Sequence, residues 1–266
     1  MNISLKESRV VITGATGIVG RRIVCAFAQE GARLYLTGRE AKSDVASVAL
    51  ELGAAEAYYS PLDLSDLHQV LRLPEQVKNH WEGVDVLVNN AGRYPLQPLL
   101  SMTMDSWDQV LSINLRAPFV LTKEMARIMI DQNISGSIIN ISSGAAFRAK
   151  VGHGHYSTSK AGLEMLTKSF ALELAPFGIR VNTVVPGFAP GSGDSPLPPE
   201  YTQKMIETIP LGRTSGEMDA AAAMVFLASP WASFITGTTI IVDGGRTAGI
   251  LTTTDRQELL QASHGG

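Results

Sequence analysis

The stretch Arg9-Val10-Val11-Ile12-Thr13-Gly14-Ala15-Thr16-Gly17-Ile18-Val19-Gly20 decides the reading of this chain. An apolar, β-branched run, Arg9–Thr13, breaks at a glycine-spaced turn and continues into an amphipathic stretch, Ile18–Glu30. That order predicts a strand, a tight turn and a helix. Glycines at 14, 17 and 20 suit such a turn for a physical reason. One lets the backbone turn sharply, one lets a pyrophosphate approach without a Cβ in the way, and one lets helix and strand pack closely. The helix N-terminus then offers unpaired N–H groups and a positive dipole end to phosphate oxygens.

Outward from this unit the pattern repeats. Short apolar runs follow at Arg33–Thr37, Ala57–Ser60, Val84–Asn89, Gly136–Ile141, Arg180–Val185 and Thr238–Val242. Most lack a clean in/out alternation, as strands buried on both faces do. Helical candidates lie between them at Lys42–Leu52, Ser65–His80, Met104–Asp131, Tyr156–Ala175, Glu200–Thr208 and Glu217–Ser229. The alternation predicts an α/β chain: one Rossmann-type domain with a doubly wound, seven-stranded parallel sheet and helices on both faces. It spans residues 1–246, and no linker divides it. The Pro/Gly/Ser-rich segment Pro186–Pro199 reads as a loop, part of a substrate lid over about 188–210. Residues 247–266 read as a polar extension, with a short helix around Asp255–Ala262.

Composition narrows the function. Of 266 residues 45% are apolar, enough for a large core, which excludes a disordered chain. A net charge of −3 lacks the basic footprint of a nucleic-acid binder. No run approaches the roughly 18–20 apolar residues of a membrane span, and the N-terminus shows no signal pattern. One cysteine, Cys25, forbids an internal disulfide. A cytoplasmic protein without nucleic-acid or membrane partners is expected. Five histidines and one cysteine offer no metal-ligand spacing. Cys25 is expected to be a small buried residue.

The second apolar run ends Thr37-Gly38-Arg39-Glu40. An NAD site would offer an acid here for the ribose 2′-hydroxyl. Positions 37–39 hold none, and the Arg39 guanidinium suits a 2′-phosphate and adenine stacking. NADP(H) is therefore expected in preference to NAD(H).

Tyr156 and Lys160 stand at i and i+4, on one face if the stretch is helical. A nearby ammonium favours the phenolate of a tyrosine, whose ordinary pKa is near 10. Such a pair can serve as a general acid or base. Asn89–Gly92 closes the fourth run and Ser142-Ser143 the fifth, both at the sheet edge where ligands bind.

As an ordered set these residues resemble the short-chain dehydrogenase/reductase family over roughly residues 5–246. The set comprises the glycine turn, Asp63, Asn89-Asn90-Ala91-Gly92, Asn114, Ser143, Tyr156 with Lys160, and Pro186-Gly187. Pro210–Arg213 and Val242–Gly245 look like the 3-oxoacyl-carrier-protein reductase branch. The resemblance implies that Tyr156 protonates a carbonyl oxygen and that Ser143 holds that oxygen. Lys160 would lower the tyrosine pKa and bind the nicotinamide ribose, and Asn114 would hold a water leading from Lys160 to solvent. Gly14, Thr16, Gly17, Ile18 and Gly20 would cradle the pyrophosphate. Arg39, Asp63 and Leu64 would take the adenosine end, Asn90, Ala91 and Gly92 its ribose side, and Pro186 and Gly187 the nicotinamide.

The implied activity is NADP(H)-dependent hydride transfer between nicotinamide and a small or acyl-carrier-bound carbonyl or secondary alcohol. The implied assembly is a homotetramer or homodimer using helix Tyr156–Ala175. Two departures stand out. Ile18 occupies a position where the branch has glycine, giving Thr-Gly-x-x-Gly-x-x-Gly. Gly191 stands where a threonine contacts the carboxamide, with Ser192 as a substitute. They motivate an alternative: a non-redox protein on this scaffold, either a cofactor-sensing regulator or an acid–base enzyme. Reduction of an imine or enone is a third reading. His153 and His155 are expected to be exposed loop residues, and Phe147, Tyr94, Phe188 and Tyr201 are candidates for a pocket wall.

Overall fold

The computed structural model describes residues 3–191 and 198–262. Seven strands are found: β1 (Arg9–Ile12), β2 (Arg33–Gly38), β3 (Glu56–Pro61), β4 (Val86–Asn89), β5 (Ser137–Ile141), β6 (Arg180–Pro186) and β7 (Thr239–Val242). They form one sheet in the order β3-β2-β1-β4-β5-β6-β7, and every pairing is parallel. Chain order reverses between β1 and β4, the crevice where such sheets bind ligands.

The helices are α1 (Ile18–Gln29), α2 (Val45–Glu51), α3 (Leu67–Trp81), α4 (Met104–Leu111), α5 (Ala117–Asp131), α6 (Gly154–Leu174), α7 (Pro199–Glu207), α8 (Asp219–Ala228) and α9 (Thr253–Ala262). Two cores divide along the strand pleat. Val10 and Ile12 point to one face with Ile23 and Phe27 of α1 and Met224 of α8. Val11 points to the other with Leu73 of α3, Leu121 and Met125 of α5, and Ala171 of α6. Full burial of such a side chain contributes about 1.5–3 kcal/mol, so slipping β1 by one residue would exchange its two faces and forfeit both cores.

Three differences from the sequence reading bear on the site. The stretch Met104–Asp131 is not one regular helix: a π turn, Ser112–Arg116, joins α4 to α5. Such turns insert an extra residue and re-aim side chains, and this one carries Asn114. The edge strands β3 and β7 are only half-buried, because among the described residues no strand pairs with their outer sides. Cys25 is likewise only partly buried. The residues after β7 run to α9, which is anchored by Arg256 Nη2 donating to Ile209 O at 2.9 Å. No described helix is long and apolar enough to cross a membrane.

Candidate active site

The expected residues converge on the C-terminal edge of the sheet. The glycine turn leaves β1 there, Asn90–Gly92 leaves β4, Ser142-Ser143 leaves β5, and Gly187 leaves β6. Gly14 needs to be glycine: its φ is +64°, and a Cβ would lie 2.8 Å from Ala91 Cα. Gly20 is locked too, since a Cβ would lie 2.0 Å from Gly14 O. Gly17 differs. It has ordinary backbone angles, is exposed, and a Cβ would meet only Gly14 O at 3.6 Å. The N-terminus of α1 has no side-chain cap at Gly17. An uncapped helix start behind an open glycine fits a pyrophosphate.

Asn90 acts on this cradle from below. Its Nδ2 donates to Thr13 O and Gly14 O, both at 3.0 Å. Thr13 Oγ1 accepts from Asn90 N at 3.0 Å and Ala91 N at 3.2 Å. Asn90 thus braces the turn, a role that sequence spacing did not reveal. The two departures from the family pattern face one another: a Cβ on Gly191, at φ +81°, would lie 2.8 Å from Ile18 Cδ1. The Ile18 side chain occupies the room that a side chain at 191 would need. Ser192 lies outside the described residues.

At the far end of the cradle Arg39 is exposed, and so is Glu40 beside it, which the sequence pattern did not single out. The Glu40 carboxylate accepts from Thr16 Oγ1 at 2.7 Å. That bond, with a smaller pull from Arg39 and Arg21, holds it below the usual carboxylate range. Asp63 Oδ1 is taken by Ser65 N and Oγ at 2.8 and 2.7 Å, while Leu64 is buried.

The expected catalytic set is assembled around the start of α6. Ser143, in extended backbone, caps the short 3₁₀ turn Gly144–Ala146. Its hydroxyl is close enough to the Tyr156 phenol to pull that group's pKa down. Lys160 is buried on the same face of α6, its Nζ 6.0 Å from the centroid of the Tyr156 ring and donating to Ile141 O at 2.7 Å. Asn114 is fully buried in the π turn. It clamps the backbone of Arg93, accepting from Arg93 N and donating to Arg93 O, each at 2.8 Å, and donates to Ser159 Oγ at 3.1 Å. Gly92 sits over the Lys160–Asn114 pair: a Cβ there would stand 3.6 Å from both Lys160 Nζ and Asn114 Oδ1.

The electrostatics depart from expectation. Burial pushes the Tyr156 phenol up to about 12, and Ser143 pulls against it. Burial also pushes Lys160 down to about 8, against a rise from Glu164. The lysine loses its solvation, and its one bond goes to a carbonyl rather than to the phenol. The histidines also differ. His155 is fully buried, its Nδ1 accepting from Tyr156 N at 2.9 Å, so it is no exposed loop residue. His153 is partly buried, its ring edge-on to Tyr156 with centroids 5.9 Å apart. Of the pocket candidates, Tyr94 lies 5.4 Å from the Tyr156 ring and Phe188 packs edge-on to Tyr201 at 6.1 Å, while Phe147 is exposed.

A family model described as enoyl-(acyl carrier protein) reductase matches residues 14–247. The chain belongs to the short-chain dehydrogenase/reductase family. This is a family of oxidoreductases that use nicotinamide cofactors. Among its short-chain relatives, the chain is 38% identical to the 3-oxoacyl-[acyl-carrier-protein] reductase of Aquifex aeolicus, over 92% of this chain and 99% of that protein. It is 36% identical to the L-xylulose reductase of Mesocricetus auratus, over 92% and 98%. A solved short-chain type dehydrogenase/reductase from Mycobacterium marinum superposes with a TM-score of 0.85 at 31% identity, covering 92% of this chain and 98% of that one. A candidate NAD(P)-dependent gluconate 5-dehydrogenase from Beutenbergia cavernae, solved with NADP at low occupancy, gives 0.84 at 32% identity, over 92% and 99%. Relatives of this short-chain family that differ so widely in named substrate leave the reaction to be argued from the site.

Proposed function

We propose that this chain is an NADP(H)-dependent carbonyl reductase, or alcohol dehydrogenase in the reverse direction. The observation that carries the reading is Tyr156 with buried Lys160 Nζ 6.0 Å from its ring centroid, and Ser143 at the end of β5, on the sheet edge where the glycine cradle opens. Bound nicotinamide supplies a hydride. The chain supplies position and a proton. Ser143 Oγ and the Tyr156 hydroxyl converge on one point, where a substrate carbonyl oxygen accepts from both. Tyr156 gives up its proton as negative charge develops on that oxygen. The Lys160 ammonium, close to the ring, favours the phenolate that results. Asn114 Oδ1 and Lys160 Nζ border the common space over Gly92, where a water links the lysine to solvent.

The uncapped start of α1, with Gly14, Thr16, Gly17, Ile18 and Gly20, holds the pyrophosphate. Asn90, Ala91 and Gly92 border the adenosine ribose, and Asp63 and Leu64 the adenine. Arg39 meets the 2′-phosphate, and Pro186 and Gly187 line the nicotinamide. Residues 1–246 act as one Rossmann domain in which Phe188 and α7, the described parts of the 188–210 lid, cover the substrate; residues 192–197 lie outside the described residues. The substrate is a small or acyl-carrier-bound carbonyl compound, the latter supported by the name of the Aquifex relative. A homotetramer or homodimer through α6 and a cytoplasmic setting complete the proposal.

Tyr156→Phe tests it. The variant should lose NADPH-dependent reduction of a carbonyl panel by about 10²–10⁴-fold, while fluorescence titration shows NADPH binding within a factor of two or so. Full turnover in the variant would overturn the assignment.

A further inference from the structure

The mouth of the site carries three cations that the proton-transfer chemistry does not use. Arg148 and Lys150 follow Ser143 on the connection to α6, and Arg246 follows β7. The two connections touch: a Cβ on Gly144, next to Ser143, would stand 3.0 Å from Thr247 Cγ2. Arg148 N bonds to Gly144 O at 3.2 Å, which keeps its backbone close to the same turn. Arg148 lies near enough to Arg246 for its charge to act on that guanidinium. On the other flank Lys150 Nζ donates to Tyr201 OH at 3.3 Å and stands 5.6 Å from the ring centroid. Tyr201 in turn packs on Phe188, the residue after Pro186-Gly187. The three cations therefore stand on the loops that leave the same sheet edge as Ser143.

Arg246 is partly buried and poorly served. Its Nε donates to Thr208 Oγ1 at 3.2 Å and its Nη2 to Met205 Sδ at 3.7 Å, a weak acceptor. The nearby acid, Asp243, spends Oδ1 on Gly245 N at 2.9 Å and Oδ2 on Thr247 N at 2.7 Å. Among the described residues, none of Arg148, Lys150 and Arg246 forms an ion pair with an acidic side chain. Arg213 close by shows the contrast: it pairs bidentately with Asp219 at 2.5 and 3.0 Å. A half-buried guanidinium on one loop, with a second arginine on the loop that touches it, carries a desolvation cost until an anion joins it. Carboxylates and phosphates match that fork geometry.

We propose that Arg246 and Arg148 bind an anionic group of the substrate, a carboxylate or phosphate, at the mouth of the site whose carbonyl Ser143 and Tyr156 hold. This rests on the reading of that pair as the carbonyl site. The test uses the full chain as wild type, Arg246→Gln, Arg246→Lys and Arg148→Gln. Acetoacetate is compared with its neutral methyl ester, and acetoacetyl phosphopantetheine with acetoacetyl pantetheine. The ratio of kcat/KM for charged over neutral partner should fall about tenfold or more in both glutamine variants, the loss expected of a charged hydrogen bond. Arg246→Lys should keep part of it.

Loss confined to the acetoacetate pair assigns the anion to a free acid, and loss confined to the phosphopantetheine pair assigns it to a carrier arm. Arg148 is exposed and its side chain holds up no other element, so its variant reads the effect even if Arg246→Gln misfolds. Calorimetric titration of acetoacetate and of phosphopantetheine into the resting protein separates the two layers of argument. Arginine-dependent binding without NADPH oxidation would keep the anion site and defeat the reductase reading. Ratios unchanged within twofold for both pairs, together with no arginine-dependent heat, overturn the proposal.

Discussion

Lys160 Nζ lies 6.0 Å from the centre of the Tyr156 ring, yet its hydrogen bond goes to Ile141 O, at 2.7 Å. The two groups share a face of α6 and are both pushed toward neutrality by burial, Tyr156 up to about 12 and Lys160 down to about 8. The lysine therefore titrates first. The ammonium that favours phenolate formation is present below about pH 8 and fades above it, while the phenol keeps its proton. Reduction should lose kcat along an alkaline limb near pH 8, read from a pH–rate profile with saturating NADPH. A limb only near pH 10 would mean that the pair is not arranged this way.

The same shift fixes a stability effect of known sign. The folded chain holds Lys160 below its ordinary value of 10.5, so the unfolded chain binds more protons between about pH 8 and 10.5. This group's contribution therefore rises with pH across that window and is a burden below it. Replacing a buried charge by an apolar chain of similar size is often neutral or stabilising. Lys160→Met should show a Tm at pH 7 no lower than wild type, with activity lost. A fall of many degrees in calorimetry would show that the bond to Ile141 O outweighs the buried charge.

Two glycines of one turn should respond oppositely to alanine. At Gly14 the positive φ and the 2.8 Å approach of Ala91 Cα penalise any side chain. A left-handed non-glycine residue alone costs about 1–2 kcal/mol, so Gly14→Ala should lower Tm by several degrees. At Gly17 the backbone is ordinary and a Cβ has room. Gly17→Ala should keep the wild-type Tm and weaken NADPH binding about tenfold or more, because the methyl group faces the ligand and not the protein. Equal Tm and Kd for Gly17→Ala and wild type would place the pyrophosphate elsewhere.

At the adenosine end two charges of opposite sign compete. Arg39 attracts a 2′-phosphate, while the ionised Glu40 carboxylate, tied to Thr16, repels one. Arg39→Ala should lower the NADPH-over-NADH preference about tenfold. Glu40→Gln should raise it by a few-fold, more at low salt than at high, since exposed charges are screened. Fluorescence titrations at two ionic strengths check both. A preference unmoved by either change would remove this end of the cleft from cofactor selection.

The local signals carried most of this architecture. The glycine turn and the β-branched runs specify their own conformations, so strand order and the sheet edge follow from them. Ser143, Tyr156 and Lys160 were legible because a strand end and an i, i+4 pair fix their positions. What stayed hidden arises from contacts between distant segments. Asn114, in the π turn, clamps the backbone of Arg93, 21 residues away. Glu40 meets the glycine turn only through Thr16, and Arg246 meets the loop after β5 only through the fold. His155 reads as exposed from its polar neighbours, yet the start of α6 turns it inward. No spacing rule encodes such pairings.

Beneath the site a buried polar chain crosses the sheet. Asn89 Nδ2 donates to Asn140 Oδ1 at 2.8 Å, and Asn140 Nδ2 donates to Thr167 Oγ1 at 2.9 Å. Thr167 Oγ1 also accepts from Thr183 Oγ1 at 2.9 Å and donates to Leu163 O at 2.9 Å. One hydroxyl thus joins β5 and β6 to α6, the helix that carries Tyr156 and Lys160. Removing it strands the Asn140 amide and the Thr183 hydroxyl, and each stranded buried group costs about 1–3 kcal/mol. Thr183→Val removes one end of the chain and leaves Thr167 its remaining bonds. Thr167→Val should therefore lower unfolding free energy clearly more than Thr183→Val in urea titrations. It should also raise KM for the carbonyl substrate, because α6 loses its tie to the strands that hold Ser143 in place. Equal stability losses would show that the chain is not joined through Thr167.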